Sequence, residues 1–188
     1  MSASGGRKVH PYELCELLEV PVNARKERRK MFKILVATDG SEYAEKAAEY
    51  AGTLAGRIQD AEITVLGVLD LGVISQASVS PSGMPVTVPV TMTEDMETAL
   101  RSIVEDTRQK LAPIGRPVVT RLEEGRPALV ICDIAEREQF DMIVMGSSGQ
   151  GRIADILLGS VSDKVIHRST VPVVIVRSKE VHEKHTRS

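Results

Sequence analysis

From residue 33 onward the chain alternates short β-rich apolar runs with stretches whose apolar residues recur at helical spacing. That alternation leaves few folds open. Strands joined by helix-length crossovers pair in parallel, and because such crossovers wind right-handed, the helices end up covering both faces of one sheet. KILVAT at 33–38 is apolar almost throughout, as a strand buried on both faces must be. Behind it Ala44, Ala47, Ala48 and Ala51 fall at i, i+3, i+4 and i+7, one stripe of a helix. ITVLGVL at 63–69 is a second strand.

Residues 72–92 contain three prolines and no helical stripe, so they are expected as a long loop, of a length that is usually functional or disordered. TEDMETALRSIVEDTRQKL at 93–111 is expected as a helix capped by Thr93, with Met96, Ala99, Leu100 and Ile103 on its inner face and its end set by Pro113. PVVTRLEEG alternates apolar and polar residues, as a strand near the sheet edge does. PALVICDIAERE opens on Pro127 at the favoured first helical position and turns Ala128, Ile131, Cys132 and Ala135 to one side, which makes Cys132 a packed core thiol. FDMIVM, the short helix SVSDKVIHR and the strand VPVVIV at 171–176 complete the pattern. The fold class is α/β, a doubly wound, open, parallel five-stranded sheet with helices on both faces.

Composition narrows the function classes. The chain has 188 residues and a formal net charge of −2, with 42% hydrophobic residues. Its first 30 residues carry seven Lys/Arg against four Glu, so a basic arm precedes an acidic remainder. A near-neutral domain with one short basic arm is not built as a general nucleic-acid binder, and no apolar run approaches the length of a membrane span. Cys15 and Cys132 form no metal or redox spacing, and no apolar leader opens the sequence. A reduced, cytoplasmic protein is expected. Residues 1–30 read as an extension with a basic run, and MFKILVATDG looks like a second beginning, with Met31 an alternative start or the arm a loosely docked segment. The charged stretch 179–188 reads as a tail. His182 and His185 fall in that tail and His10 in the arm, while His167 sits near the end of the last helix, where it complements the dipole or a carboxylate. No pair of nucleophile and base emerges.

Two segments follow strand ends and are rich in backbone donors: TDGS at 38–41 and GSSGQGRIADILLGS at 146–160. In open α/β sheets ligands sit outside the carboxyl ends of the strands where the winding reverses, and glycines there let main-chain amides approach a phosphate. The same residues also suit ordinary βα turns. No Lys-Ser or Lys-Thr follows the glycines, so this is no Walker A loop, and the glycines follow the fourth strand rather than the first.

The arrangement Gly146, two residues, Gly149, nine residues, Gly159-Ser160 resembles the ATP-binding motif of the universal stress protein family. KILVATDGSEYAEKAAEYA and MGSSGQGRIADILLGSVSDKVIHRSTVPVVIVR are similar to that family's opening and closing segments, and the resemblance spans about residues 32–177. It implies a sheet of order 3-2-1-4-5 and a domain over 31–178. Ala37, Thr38 and Asp39 would line the adenosine part of a site, Val68 would pack on adenine, and Met145 and Gly146 would border the ribose. Gly149, Gly159, Ser160 and Val161 would hold the phosphates of ATP, with Mg²⁺ riding on the phosphates and no metal ligands from the protein. Ala37 stands where nucleotide-binding relatives often have proline. Plainer alternatives stay open: Asp39 capping the first helix with Glu42, Val68 in the core, Ser160 as an N-cap, Arg152 facing water rather than a phosphate. The resemblance further implies a homodimer through the final strand, unknown protein partners, a regulatory or stress-response role with little ATP turnover, and a loop over 72–92 able to close on nucleotide. The competing reading is a nucleotide-free homodimeric interaction protein of the same fold; an enzyme cleaving ATP between its α and β phosphates would need an SGGxDS-type loop where this chain has ATDGSEYA.

Overall fold

The computed structural model of the protein describes residues 31–70, 72, 90–148 and 158–177. The arm, most of the 72–92 loop, Gly149 to Arg152 and the tail lie outside the described residues. The strands are β1 (Phe32–Ala37), β2 (Ala61–Leu69), β3 (Val118–Glu124), β4 (Met142–Gly146) and β5 (Val173–Val176). They form one five-stranded sheet of order β3-β2-β1-β4-β5, every neighbouring pair parallel. The helices are α1 (Glu42–Arg57), α2 (Val90–Leu111), α3 (Pro127–Arg137) and α4 (Ser160–Arg168), with a 3₁₀ turn at Ala112–Ile114 after α2.

Alternation along β1 divides the core. Ile34 and Val36 join Val104, Leu111 and the alanines of α1 in one cluster, and Leu35 and Ala37 join Ile131, Ile134 and Val165 of α3 and α4 in the other. The expected layered α/β architecture is the observed one.

Each end of α1 is fixed by identifiable chemistry. Ser41 is its N-cap, its hydroxyl accepting from the Ala44 amide at 3.2 Å, so the first helix is not capped by Asp39. Asp39 instead accepts from the Ser41 amide at 3.0 Å and shapes the turn before the cap. Gly40 sits in that turn at φ +77°, a conformation open to glycine at little cost. The buried alanine stripe lets α1 lie close on the sheet, and Gly52 leaves room for Ile114, whose Cδ1 lies 2.3 Å from where a Cβ would stand.

Two helix expectations need correction. α2 opens at Val90, so Thr93 lies within its first turn and the loop is shorter than predicted. The inner face of α2 is centred on Val104, Thr107 and Leu111, with Ala99 exposed. Gly67 of β2 makes that approach possible, since a Cβ there would stand 2.7 Å from Val104. β5 is also shorter than VPVVIV, because the Ser169 hydroxyl accepts from the Val171 amide and donates to its carbonyl, holding Val171 in a turn.

Candidate functional site

The winding reverses between β1 and β4, and a cleft of about 270 Å³ opens at their carboxyl ends. Ala37, Thr38 and Asp39 line it from β1 and the following turn, Leu66 and Val68 from β2, and Met145, Gly146 and Ser148 from β4 and its loop. Pro127 and Ile131 of α3 add an apolar wall. Gly159, Ser160 and Val161 close the far end at the start of α4. Nine of the ten residues implicated by the sequence therefore line one cleft; Gly149 lies outside the described residues.

The local geometry gives several of them a second role. A Cβ on Gly146 would stand 2.7 Å from the Tyr43 carbonyl carbon, so this glycine is required where β4 meets the first turn of α1, whatever the cleft holds. The N-cap of α4 is Gly159 and not Ser160, which is the first helical residue and exposed. The Gly159 amide is already engaged, donating to the Ser147 carbonyl at 2.8 Å. The amides of Ser160 and Val161 belong to the first helical turn, which has no intrahelical acceptor for them, and they carry the positive end of the α4 dipole into the cleft.

Electrostatically the cleft is nearly neutral. Among the described lining residues Asp39 is the only ionisable side chain, and it is exposed at the rim. No group of three or more His, Cys, Asp or Glu side chains gathers among the described residues. Cys132, next to the lining residue Ile131, is buried, and burial pushes its thiol up from its ordinary value, consistent with a packing role. His167 is exposed near the end of α4, its Nδ1 2.8 Å from the Asp163 carbonyl, away from the cleft lining.

Sequence reading missed Ser148 and Ser162. Ser162 is buried, and its hydroxyl lies 3.0 Å from both the Ser147 and Gly159 carbonyls, tying the two ends of the glycine stretch together. The second serine of GSVSDK was the available signal. Pro127 and Ile131 had been read only as a helix start and a core residue, since no local pattern says that a helix's apolar face continues into a cleft.

The family model for the universal stress protein family matches residues 31–177. Universal stress protein YxiE of Bacillus subtilis is 36% identical over 149 residues, an alignment covering 77% of this chain and 98% of that protein. The solved structure of MJ0577 from Methanocaldococcus jannaschii superposes with a TM-score of 0.66 at 30% identity, covering 79% of this chain and 97% of that one. A universal stress protein crystallised in complex with cAMP shares the fold, with a TM-score of 0.57 at 23% identity over 78% of this chain and 97% of its own. With the family model spanning most of the chain, a relative 36% identical over 77% of it and the sheet order in agreement, the chain belongs to the universal stress protein family.

Proposed function

We propose that the chain binds an adenine nucleotide in the cleft between β1 and β4 and acts as a nucleotide-dependent regulatory or stress-response protein with little ATP turnover. One observation carries the reading. The apolar wall of Val68, Ile131 and Met145 and the first turn of α4 share a single cleft, so a flat apolar base and an anionic group both find matching surface. At about 270 Å³ the cleft lies near the lower end for small-molecule sites, the size of a nucleoside more than of a whole triphosphate. A universal stress protein of this fold holds cAMP in its crystal structure, which supports nucleotide as the ligand class.

In this reading Asp39 and Val68 meet the nucleoside, Ser160 and Val161 meet the phosphates with their amides, and Gly149 is assigned to the phosphates by its place in the motif. Mg²⁺ supplies charge neutralisation on the phosphates, and the residues present fit an ion held by the ligand, given the absence of an acidic cluster among those described. Slow turnover follows from the lining, which offers no lysine and no second carboxylate among the described residues. The domain is assigned to residues 31–178, between an arm and a charged tail, and the protein to the cytoplasm; no helix among the described residues is long and apolar enough to cross a membrane.

A nucleotide-free interaction protein is the second reading, and two findings favour it: Gly146 and the Gly159 amide both have structural uses without any ligand. In either reading a homodimer through β5 is proposed. The Pro172 and Val176 carbonyls accept from Ile143 and Ser147, so the intervening residues Val173 and Ile175 turn their amides outward along an apolar, half-buried edge. Mass spectrometry of small molecules released from the purified protein separates the two readings: an adenine nucleotide near one per chain supports the first, and none, even after incubation with ATP, supports the second.

A further inference from the structure

Ser148 ends the described loop behind β4 and lines the cleft beside the start of α4. Its hydroxyl oxygen is buried and, among the described residues, is the only such side-chain nitrogen or oxygen without a hydrogen-bond partner. The neighbouring hydroxyls are engaged: Ser41 Oγ caps α1 and donates to the Ser148 carbonyl at 3.4 Å, and Ser162 Oγ donates to backbone carbonyls of the loop. The Ser148 backbone also lies close to Gly159, where an added Cβ would stand 3.2 Å from Ser148 Cα. A buried hydroxyl that forgoes its hydrogen bond costs the fold, and such a group calls for an explanation.

We infer that Ser148 is a ligand-binding residue whose hydroxyl donates to a phosphate oxygen of a nucleotide seated against the first turn of α4. This rests on the nucleotide reading above and names a side-chain donor that the glycine motif does not specify. The location selects phosphate over base: the Ser148 backbone lies against Gly159, the N-cap of α4, while Val68 and Ile131 form the apolar wall. The electrostatics gives the contact weight. Among the described lining residues Asp39 is the only ionisable side chain, so the donors they offer a phosphate are neutral, and a hydroxyl donating to a charged oxygen is among the stronger of these.

The test uses the full chain, with calorimetric titration of adenosine and AMP and thermal unfolding of the ligand-free protein. Ser148→Ala is expected to unfold at the same temperature as wild type or higher, since it removes an unpaired group. It should weaken AMP about tenfold and leave adenosine unchanged. Equal AMP affinity in both proteins, an equal loss for adenosine and AMP, or a lowered unfolding temperature would each overturn the assignment, the last by showing a structural role. Wild-type protein that binds neither compound would overturn the nucleotide reading itself, a result distinct from a Ser148→Ala variant that merely matches wild type.

Discussion

The Gly159 amide donates to the Ser147 carbonyl at 2.8 Å, closing the glycine stretch on itself between β4 and α4. Gly159 has φ −63° and ψ 154°, which any residue adopts, so the backbone does not demand glycine. Space favours it, because a Cβ would stand 3.2 Å from Ser148 Cα, a tight contact that a small shift of the loop relieves. Gly159→Ala should therefore fold with a modest loss, and Gly159→Val should lose more, about 1–3 kcal/mol by overpacking. Ser162→Ala, which removes the hydroxyl bridging both ends of the stretch, should cost about 1 kcal/mol. Urea unfolding checks the order wild type, Ala variants, Val variant.

At Gly52 the sign of a substitution should depend on a second residue. A Cβ there would stand 2.3 Å from Ile114 Cδ1. Alanine gains about 1 kcal/mol in helix propensity over glycine, but the crowding costs about 1–3 kcal/mol. Gly52→Ala should thus be neutral to destabilising in wild type and less costly in an Ile114→Ala background, where Leu111 Cδ2 at 2.9 Å is the tight neighbour that remains, a coupling that a double-mutant cycle measures directly.

How much of this could be seen in the sequence depended on how local each cause is. The alanine stripe of α1 and the glycine spacing are patterns within one element or one loop: the stripe is the buried face of α1, and Gly146 and Gly159 line the cleft. The start of α2 was misread because Thr93 followed by Glu94 and Asp95 is a local start signal, and nothing local shows that Val90 to Met92 are already helical. Ser148 was passed over because nothing in GSSG tells which serine is solvated and which is buried without a partner; that distinction arises from Ser41 and Gly159, remote in sequence and adjacent in space. Ser41 went unnoticed as the cap because the D-x-x-E spacing from Asp39 to Glu42 offers an alternative one, and both residues serve the same turn.

Cys132 should give the stability an alkaline limit. Burial raises its folded-state pKa above the ordinary value of 9.0. The neutral thiol's contribution is complete below the unfolded value and is lost as pH rises through the folded one. Comparing urea midpoints of wild type and Cys132→Ala at pH 8 and pH 10, the gap between them should narrow at the higher pH. A gap independent of pH would show the thiol titrating as it does in the unfolded chain.

Magnesium should matter for ATP and hardly at all for AMP. The described lining contributes one carboxylate and no cation, and residues 149–157 add one Arg and one Asp by sequence, so extra phosphate charge meets no surplus of positive charge. Chelation should weaken ATP about tenfold and leave AMP within a factor of two. ATP affinity unchanged by chelation would point to a protein cation on the phosphates.

The central claim is that this cleft is a nucleotide site, and titration calorimetry of wild type and Val68→Trp with Mg²⁺-ATP tests it most directly. Val68 lines the cleft and is partly buried at the edge of the core cluster that holds Leu66 and Ile131, so a larger ring there fills the proposed base-binding end. The account predicts one ATP per wild-type chain and no binding to a Val68→Trp variant that remains folded by circular dichroism. Wild type that gives no binding heat, or a folded Val68→Trp variant that binds as tightly as wild type, would contradict it.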